Sequence, residues 1–291
     1  MKKITSPFLL AAFFIGLICI AAQQPKPKEK GKSKKEKVAV KPEAKSKDQL
    51  VEITTEYGKM VLKLYNETPL HRDNFIKLVS QGFYDSLMFH RVIKNFMIQG
   101  GDPQSKTAPS GMMLGNGDLP YKIPAEFNQK LYHKKGVLAA ARDDNPKKES
   151  SACQFYIVQG KKFTMPELTN LRNQINYNNK SKMLQDMTNS DSVMAKINDY
   201  KLRGDKDGLH SYMLSLQPIV DEMYKPMEVY YTSDQLTKYM TDGGTPFLDM
   251  SYTVFGEMIS GFNVLDSIAT VPCDANNRPL KDVRMQVKLL K

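Results

Sequence analysis

The feature that most constrains the fold is a series of short apolar runs separated by Gly- and Pro-rich turns. Runs of this length are short for a typical helix and predict β-strands. They occupy residues 88–93, 96–99, 137–141 and 155–158, and further strand patterns follow at 252–255 and 283–289. The sequence therefore predicts a mainly β protein.

One hairpin and two helical patterns complete the predicted domain. Apolar and polar residues alternate on either side of Tyr57-Gly58, which is typical of a β-hairpin. Thr68 and Pro69 are suited to the cap and first turn of a helix that Gly82 would end, and a second helical face covers residues 262–269. Many short strands with two helices predict a closed β-barrel capped by those helices.

Residues 161–245 do not fit this pattern and predict a helical insertion between two strands of the barrel. Thr164 and Glu167 have the spacing of a capping box, apolar residues recur at helical spacing over 209–223, and Ser233 would cap a further short helix. Met and Tyr are frequent in the segment. They are explained either by packing within the helices or by a binding surface.

The first 22 residues are typical of an export signal. Lys2 and Lys3 precede an apolar run over 8–20, and Ala21 and Ala22 supply small residues for cleavage before Gln23. The alternatives are an uncleaved anchor and a lipoprotein lipidated at Cys19. The predicted location is therefore exported, in the periplasm or associated with the cell envelope.

Residues 23–47 are predicted to be a disordered, Lys-rich linker. Between residues 26 and 48 ten lysines stand against four acidic residues, and no aromatic residue is present. Such a composition cannot bury enough apolar surface to fold. A peripheral contact with anionic lipid head groups is an alternative role, whereas nucleic acid is not an expected partner of an exported chain.

No familiar hydrolytic, redox or metal-binding motif occurs, and neither a cofactor nor a metal ion is expected. The four histidines are scattered without ligand spacing and are interpreted as structural or exposed. Cys153 and Cys273 allow one disulfide after export, but a buried free thiol at Cys153 is the interpretation that its apolar strand favours.

The stretch over 89–102 combines a cationic side chain with apolar and amide neighbours; its sequence is FHRVIKNFMIQGGD. On a regular strand Phe89, Arg91 and Ile93 would share one face. A fixed guanidinium beside Phe, Met and Gln side chains can hold a proline ring and grip a peptide carbonyl. An ordinary hairpin with an exposed arginine is the alternative.

This stretch resembles the signature hairpin of the cyclophilins, and three further blocks follow in the family's order. They are GVLAAA at 136–141, CQFYI at 153–157, and FLD at 247–249 with YTVFG at 252–256. The resemblance covers about residues 48–160 and 246–291. It implies an eight-stranded antiparallel barrel closed by two helices, with the site on its outer face.

The resemblance also implies a role for each matching residue. Arg91 matches the catalytic arginine, and Gln99 and Gln154 match side chains that hold the substrate backbone and orient that arginine. The walls of the proline pocket match Phe96, Met97, Tyr156 and Leu248, and the remaining substrate-binding positions are Ala141, Arg142, Phe247 and Tyr252.

Four residues depart from the family pattern. Arg142 stands where Asn is frequent, which puts one backbone contact in doubt, and Cys153 replaces Ser. Tyr252 stands where eukaryotic members have His. Phe247 replaces a Trp whose indole donates to cyclosporin, so that only weak binding of this drug is expected.

The function that the resemblance implies is peptidyl-prolyl cis-trans isomerisation of exported polypeptides, which would assist their folding. The alternative is a catalytically weak chaperone or binding scaffold that uses the helical insertion, because one fold can carry unrelated functions. Intact Arg91, Phe96, Gln99 and Tyr156 favour the enzyme, since a scaffold does not require them.

Overall fold

The computed structural model describes residues 49–290, so the predicted signal peptide and the whole of the predicted linker lie outside the described residues. No helix within this range is long and apolar enough to cross a bilayer. The strands are β1 (Gln49–Thr55), β2 (Gly58–Leu64), β3 (Phe89–Ile93), β4 (Met97–Gly100), β5 (Lys122–Ile123), β6 (Val137–Ala140), β7 (Ser150–Ser151), β8 (Phe155–Val158), β9 (Val254–Ser260) and β10 (Gln286–Leu290). The α-helices are α1 (Pro69–Ser80), α2 (Met165–Thr188), α3 (Asp191–Leu202), α4 (Lys206–Tyr224), α5 (Ser233–Thr241) and α6 (Phe262–Ile268).

Eight strands form one antiparallel sheet in the order β10-β1-β2-β9-β6-β8-β4-β3, while β5 pairs with β7 separately. The prediction of a closed barrel is wrong, because the edge strands β3 and β10 do not pair with each other and the sheet is open. The chain ahead of β10 instead meets the chain ahead of β3, through a bridge between Met88 and Arg284 and a 2.8 Å hydrogen bond from the Met285 amide to the Leu87 carbonyl.

The curved sheet is apolar on both faces, which explains the continuous apolar runs of its central strands. On β8, Phe155 and Ile157 belong to the main core, whereas Tyr156 and Val158 belong to a second cluster on the opposite face. Helices α1 and α6 bury their apolar sides in the main core. The second cluster, which neither helix covers, is where the candidate site lies.

A bulge at His90 breaks the regular alternation predicted for β3. Phe89 pairs with Gly100 and Arg91 pairs with the adjacent Gln99, so His90 is an extra residue on β3 without a partner on β4. The prediction that Phe89 shares a face with Arg91 is wrong, since Phe89 is fully buried in the main core and Arg91 is only half-buried. A bulge re-aims the side chains on its two sides, and this one turns Arg91 out of the core.

The buried His90 gives the protein a pH-dependent stability. Burial is the main cause that lowers the pKa of His90 to about 4, below the value of about 6.5 in an unfolded chain. The contribution of neutral His90 to the free energy of unfolding is therefore complete above pH 6.5 and is lost as the pH falls toward 4. The loss between pH 8 and pH 5 is about 2 kcal/mol. We expect His90→Gln to remove this part of the pH dependence, measured by urea unfolding at the two pH values.

Burial also lowers the pKa of His71, so some loss of stability in acid should persist in the His90→Gln variant. An unchanged difference in unfolding free energy between pH 8 and pH 5 would contradict the assignment to His90.

Helix α1 begins as predicted, but a side chain other than the predicted cap accepts hydrogen bonds from the backbone amides of its first turn. Thr68 occupies the cap position and Pro69 follows it, yet the Thr68 hydroxyl makes no capping hydrogen bond. The Glu126 carboxylate instead accepts hydrogen bonds from the amides of Leu70 and His71, both at 3.0 Å. A carboxylate stabilises a helix N-terminus through its free amides and its dipole.

Between β8 and β9 the chain forms helices α2 to α5, in the range where helices were predicted. The capping box of Thr164 and Glu167 is confirmed. The cap of α5 is Thr232 rather than Ser233, because the Thr232 side chain accepts a hydrogen bond from the amide of Gln235 and completes a second capping box. Lys161 and Gly244 exchange backbone hydrogen bonds of 3.0 and 3.3 Å, so the chain leaves the sheet and returns to it at one place.

Candidate active site

A cavity of about 90 Å³ lies on the outer face of the sheet, over β4, β6 and β8. Nine of the eleven side chains predicted for the site line it: Arg91, Phe96, Met97, Gln99, Ala141, Arg142, Tyr156, Leu248 and Tyr252. Its floor is the second apolar cluster, which includes Met97 and Tyr156. The arrangement is an apolar hollow with cationic groups at its rim.

A chain of amides holds the guanidinium of Arg91. Its Nη1 donates to Gln99 Oε1 at 3.1 Å, and Gln99 Nε2 donates to Gln154 Oε1 at 3.0 Å. Gln154 Nε2 is fixed in turn by the carbonyls of Gly115 and Gly117 at 2.9 and 2.6 Å. Arg91 therefore keeps one orientation before any ligand enters, with its remaining N–H groups available to a carbonyl.

A second, larger cavity of about 300 Å³ adjoins the first and shares Gln99, Ala141 and Arg142 with it. Gln154, which does not line the first cavity, lines this one. Its far side is polar and charged, with Lys122 bridging two aspartates at 3.1 Å each. The two cavities form one groove that is apolar at one end and polar at the other.

Arg142 is anchored at the rim of the hollow, although the family pattern left its role in doubt. Its Nε donates to the Ser251 carbonyl at 3.0 Å, and its guanidinium lies 4.7 Å from the centre of the Tyr252 ring. Phe247, the other predicted residue that does not line the first cavity, packs against Phe96 with 5.6 Å between ring centres and an angle of 36° between the rings. The Phe247 ring therefore extends the wall of the hollow outward, since 45% of this residue is exposed.

Sequence reasoning missed the residues behind the Tyr156 wall. His133, interpreted as one of four structural or exposed histidines, is fully buried, and its Nε2 lies 3.0 Å from the Tyr156 hydroxyl. Its Nδ1 lies 2.8 Å from Asp249, which also accepts from Tyr239 on α5. Asp249 is 116 residues and Tyr156 is 23 residues from His133 along the chain, so no local spacing could have revealed the cluster.

A second histidine–carboxylate pair resembles a nucleophilic triad but cannot work as one. His71 lies 2.6 Å from Glu126 through Nδ1 and 3.0 Å from the Ser150 hydroxyl through Nε2. Both His71 and Ser150 are buried, and the cavity beside His71 measures only about 10 Å³. A nucleophile needs access to its substrate, so these side chains serve to attach α1 to β7.

The cysteines and the remaining ionisable residues add no reactive centre in the part of the chain described. Cys153 and Cys273 are free. Burial is the main cause that raises the pKa of Cys153 to about 12, which keeps the thiol protonated. Residues 49–290 hold no group of three or more His, Cys, Asp or Glu side chains placed to bind a metal ion.

The model of the cyclophilin type peptidyl-prolyl cis-trans isomerase/CLD family matches this chain over residues 50–207 and 233–288. A protein of Staphylococcus aureus strain COL, named "Putative peptidyl-prolyl cis-trans isomerase", is 30% identical over 242 residues, which are 83% of this chain and 91% of that protein. A Streptococcus pyogenes serotype M6 protein named "Putative bifunctional phosphatase/peptidyl-prolyl cis-trans isomerase" is 29% identical over 236 residues, which are 80% of this chain and 37% of that protein.

Among solved structures, a Cryptosporidium parvum cyclophilin type peptidyl-prolyl cis-trans isomerase aligns with a TM-score of 0.47 and 20% identity, over 84% of this chain and 99% of that one. The same protein in the presence of the dipeptide Ala-Pro aligns with the same score at 19% identity.

Proposed function

The chain belongs to the cyclophilin-type peptidyl-prolyl cis-trans isomerase family, and we propose that it isomerises X-Pro bonds of exported polypeptides in the hollow beside Arg91. The observation that carries the proposal is the pre-set guanidinium of Arg91, held by Gln99 and Gln154 at the rim of an apolar cavity. A proline ring is compact, apolar and lacks an N–H, so it suits such a cavity.

Rotation about the imide bond is slow because it breaks amide resonance, at a cost of ~18–20 kcal/mol. No covalent bond is cleaved, so the reaction requires neither a nucleophile nor a general base. The requirement is a site that binds the twisted imide more tightly than either planar form. A hollow with one fixed donor meets this requirement.

Arg91 supplies the interaction that grows toward the transition state. As the imide twists, the lone pair of its nitrogen localises and becomes a better hydrogen-bond acceptor. An N–H of Arg91, directed at the imide nitrogen or at the adjacent carbonyl, stabilises that state. A guanidinium keeps its charge throughout the working pH range, which suits a role without proton transfer.

The walls of the hollow hold the ring while the peptide turns. Met97 and Tyr156 are almost fully buried and form a fixed floor, and Phe96 and Leu248 pack against the same cluster. A dry floor strengthens the hydrogen bond of Arg91, because fewer waters compete for it. The adjoining cavity would receive the residues that precede proline.

The exported location and the folding role are supported by the sequence of residues 1–47. A charged start, an apolar run over 8–20 and Ala21-Ala22 favour passage across a membrane, and the Lys-rich linker would allow a peripheral contact with anionic lipid head groups. Unfolded exported chains contain both X-Pro isomers, so an isomerase outside the cytoplasm would speed their folding.

The helices α2 to α5 support a second candidate function, the holding of unfolded polypeptides. Several large apolar side chains of these helices face solvent, among them Tyr177, Leu202 and Leu214, with 71%, 88% and 60% of their surface exposed. Exposed apolar side chains of this kind can bind extended chains. Catalysis and holding are compatible on one chain.

Turnover of a short proline peptide tests the proposed function. The wild-type protein should accelerate cis-trans exchange of an Ala-Pro peptide, measured by NMR exchange or a protease-coupled assay. A folded protein without any acceleration would contradict the enzyme and favour the scaffold.

Phe247 sets the expected response to cyclosporin. Phe cannot donate the hydrogen bond that a Trp gives at this position in eukaryotic family members, and a buried acceptor without its partner costs about 1–3 kcal/mol. We expect Phe247→Trp to tighten cyclosporin binding by about tenfold or more, measured by calorimetry. Phe247→Leu, which adds no donor, is the control, and equal affinities of the wild type and Phe247→Trp would refute the role of this position.

A further inference from the structure

Four buried side chains form a continuous hydrogen-bonded line from the floor of the hollow to helix α5. Tyr156 contacts His133 at 3.0 Å, His133 contacts Asp249 at 2.8 Å, and Asp249 contacts Tyr239 at 2.6 Å. Each of the four is less than 10% exposed. The line thus joins Tyr156, which lines the proposed proline pocket, to Tyr239 of helix α5.

Donors and acceptors can be assigned along the whole of this line. Asp249 Oδ1 also accepts the backbone N–H of His133 at 2.9 Å, so the carboxylate serves only as an acceptor. A hydrogen on Nδ1 donates to Asp249 and leaves Nε2 to accept from the Tyr156 hydroxyl, and we infer this tautomer for His133. Burial raises the pKa of Tyr156 and of Tyr239, so both hydroxyls keep their protons and serve as donors.

The anchored hydroxyl restrains the ring that lines the hollow. The His133 ring lies parallel to Tyr156 at 6.1 Å, and Tyr252 meets Tyr156 edge-on at 5.9 Å. A phenylalanine in this place would be restrained by these ring contacts alone. The hydrogen bond adds a directional restraint at the far end of the ring, away from the cavity.

Asp249 restrains a second wall as well, since it follows Leu248 directly in the chain. Helix α5 is fixed against the same region by a 2.7 Å hydrogen bond from Gln235 to the Gln129 carbonyl. The ring of Tyr239 is enclosed by Tyr132 and Tyr231, with ring centres 5.5 and 5.7 Å away. A displacement of α5 therefore acts on Asp249 and, through it, on both walls.

We propose that His133, Asp249 and Tyr239 are positioning residues for the proline pocket, and that helix α5 is thereby part of the isomerase site rather than an appendage to it. The catalytic part of this inference rests on the proposed function. The physical part, a restraint on Tyr156 that originates in α5, does not.

Tyr239→Phe is the decisive variant, because it removes one hydroxyl in α5 and leaves the ring and the pocket lining intact. We expect kcat/KM on an Ala-Pro peptide to fall about fivefold, the effect of one hydrogen bond. Tyr121→Phe is the matched control: its hydroxyl bonds Asn74, outside both the line and helix α5, and its activity should stay within twofold of the wild type.

A double-mutant cycle separates positioning from general destabilisation. Tyr156→Phe breaks the line at the pocket end, so adding Tyr239→Phe to it should cause a smaller loss than the same substitution causes in the wild type. Losses that multiply independently, or full activity of folded Tyr239→Phe, would overturn the proposal.

An NMR measurement tests the line without turnover, so its failure can be told from failure of the proposed function. Nitrogen shifts of His133 should show hydrogen on Nδ1 and a bare Nε2, and the Tyr156 ring should flip faster in Tyr239→Phe than in the wild type. A proton on Nε2, or an unchanged flip rate, would refute the line even in an active isomerase. If the wild type is inactive but the His133 shifts and the faster ring flip are both observed, the restraint on Tyr156 is supported and only its catalytic role is refuted.

Discussion

Replacing Arg91 by alanine should lower kcat/KM on a proline peptide by about 100-fold or more while leaving the fold intact. The expected loss is on the order of 3 kcal/mol, the effect of removing one donor from a preorganised transition-state site. Arg91 is half-buried at the rim and belongs to neither apolar cluster. Its removal should therefore have little effect on the unfolding free energy. Peptide turnover and thermal unfolding of the same preparation measure the two effects.

Arg91→Lys is the informative companion variant. Lysine keeps the positive charge but not the planar fork that donates to Gln99 and to the substrate at the same time. Its activity should lie between the wild type and Arg91→Ala. Near wild-type turnover in folded Arg91→Ala would contradict the role assigned to this residue.

Truncating Asp249 to alanine should have the largest effect on stability, a loss of about 3–5 kcal/mol in the free energy of unfolding. The carboxylate is buried and accepts three hydrogen bonds, two from His133 and one from Tyr239. Alanine would leave three buried donors without an acceptor, each at a cost of about 1–3 kcal/mol. Urea unfolding of the wild type and the variant measures the difference.

Asp199→Ala is the matched control, since the Asp199 side chain is 62% exposed and pairs with Arg203 at 2.8 Å. A surface pair of this kind contributes about 0–1 kcal/mol. Asp249→Asn keeps one acceptor oxygen and should be less destabilised than Asp249→Ala, which keeps the test decisive if the alanine variant does not fold. Equal losses in Asp249→Ala and Asp199→Ala would show that the buried network contributes little.

Most strands could be predicted because their apolar runs reflect local burial. The run at 155–158 coincides with β8, and 137–141 exceeds β6 by one residue. The open edge between β3 and β10 could not be predicted, because closure depends on where two distant segments meet. The His90 bulge has no local signal either, since alternation assumes a regular strand.

The site was predicted largely through the resemblance. Nine of its eleven residues line one cavity, because the matched blocks fall on adjacent strands and on the loop before β9. The support behind the cavity escaped prediction for two reasons. His133 lies outside the quoted blocks, and Tyr239 lies in the segment that the resemblance does not cover. Side chains that act through tertiary contacts leave no spacing to recognise.

The backbone hydrogen bonds between Lys161 and Gly244 have a consequence for the order of folding. In the unfolded chain these two residues are the ends of a long loop. The entropy lost on closing this loop opposes the docking of β9 between β2 and β6. Each doubling of the loop length adds about 0.6 kcal/mol to the free-energy cost of closure. Helix contacts local in sequence form faster than distant strand pairs. Once α2 to α5 have packed, the two ends are adjacent, and β9 and β10 would join the sheet as though a short turn connected them to β8.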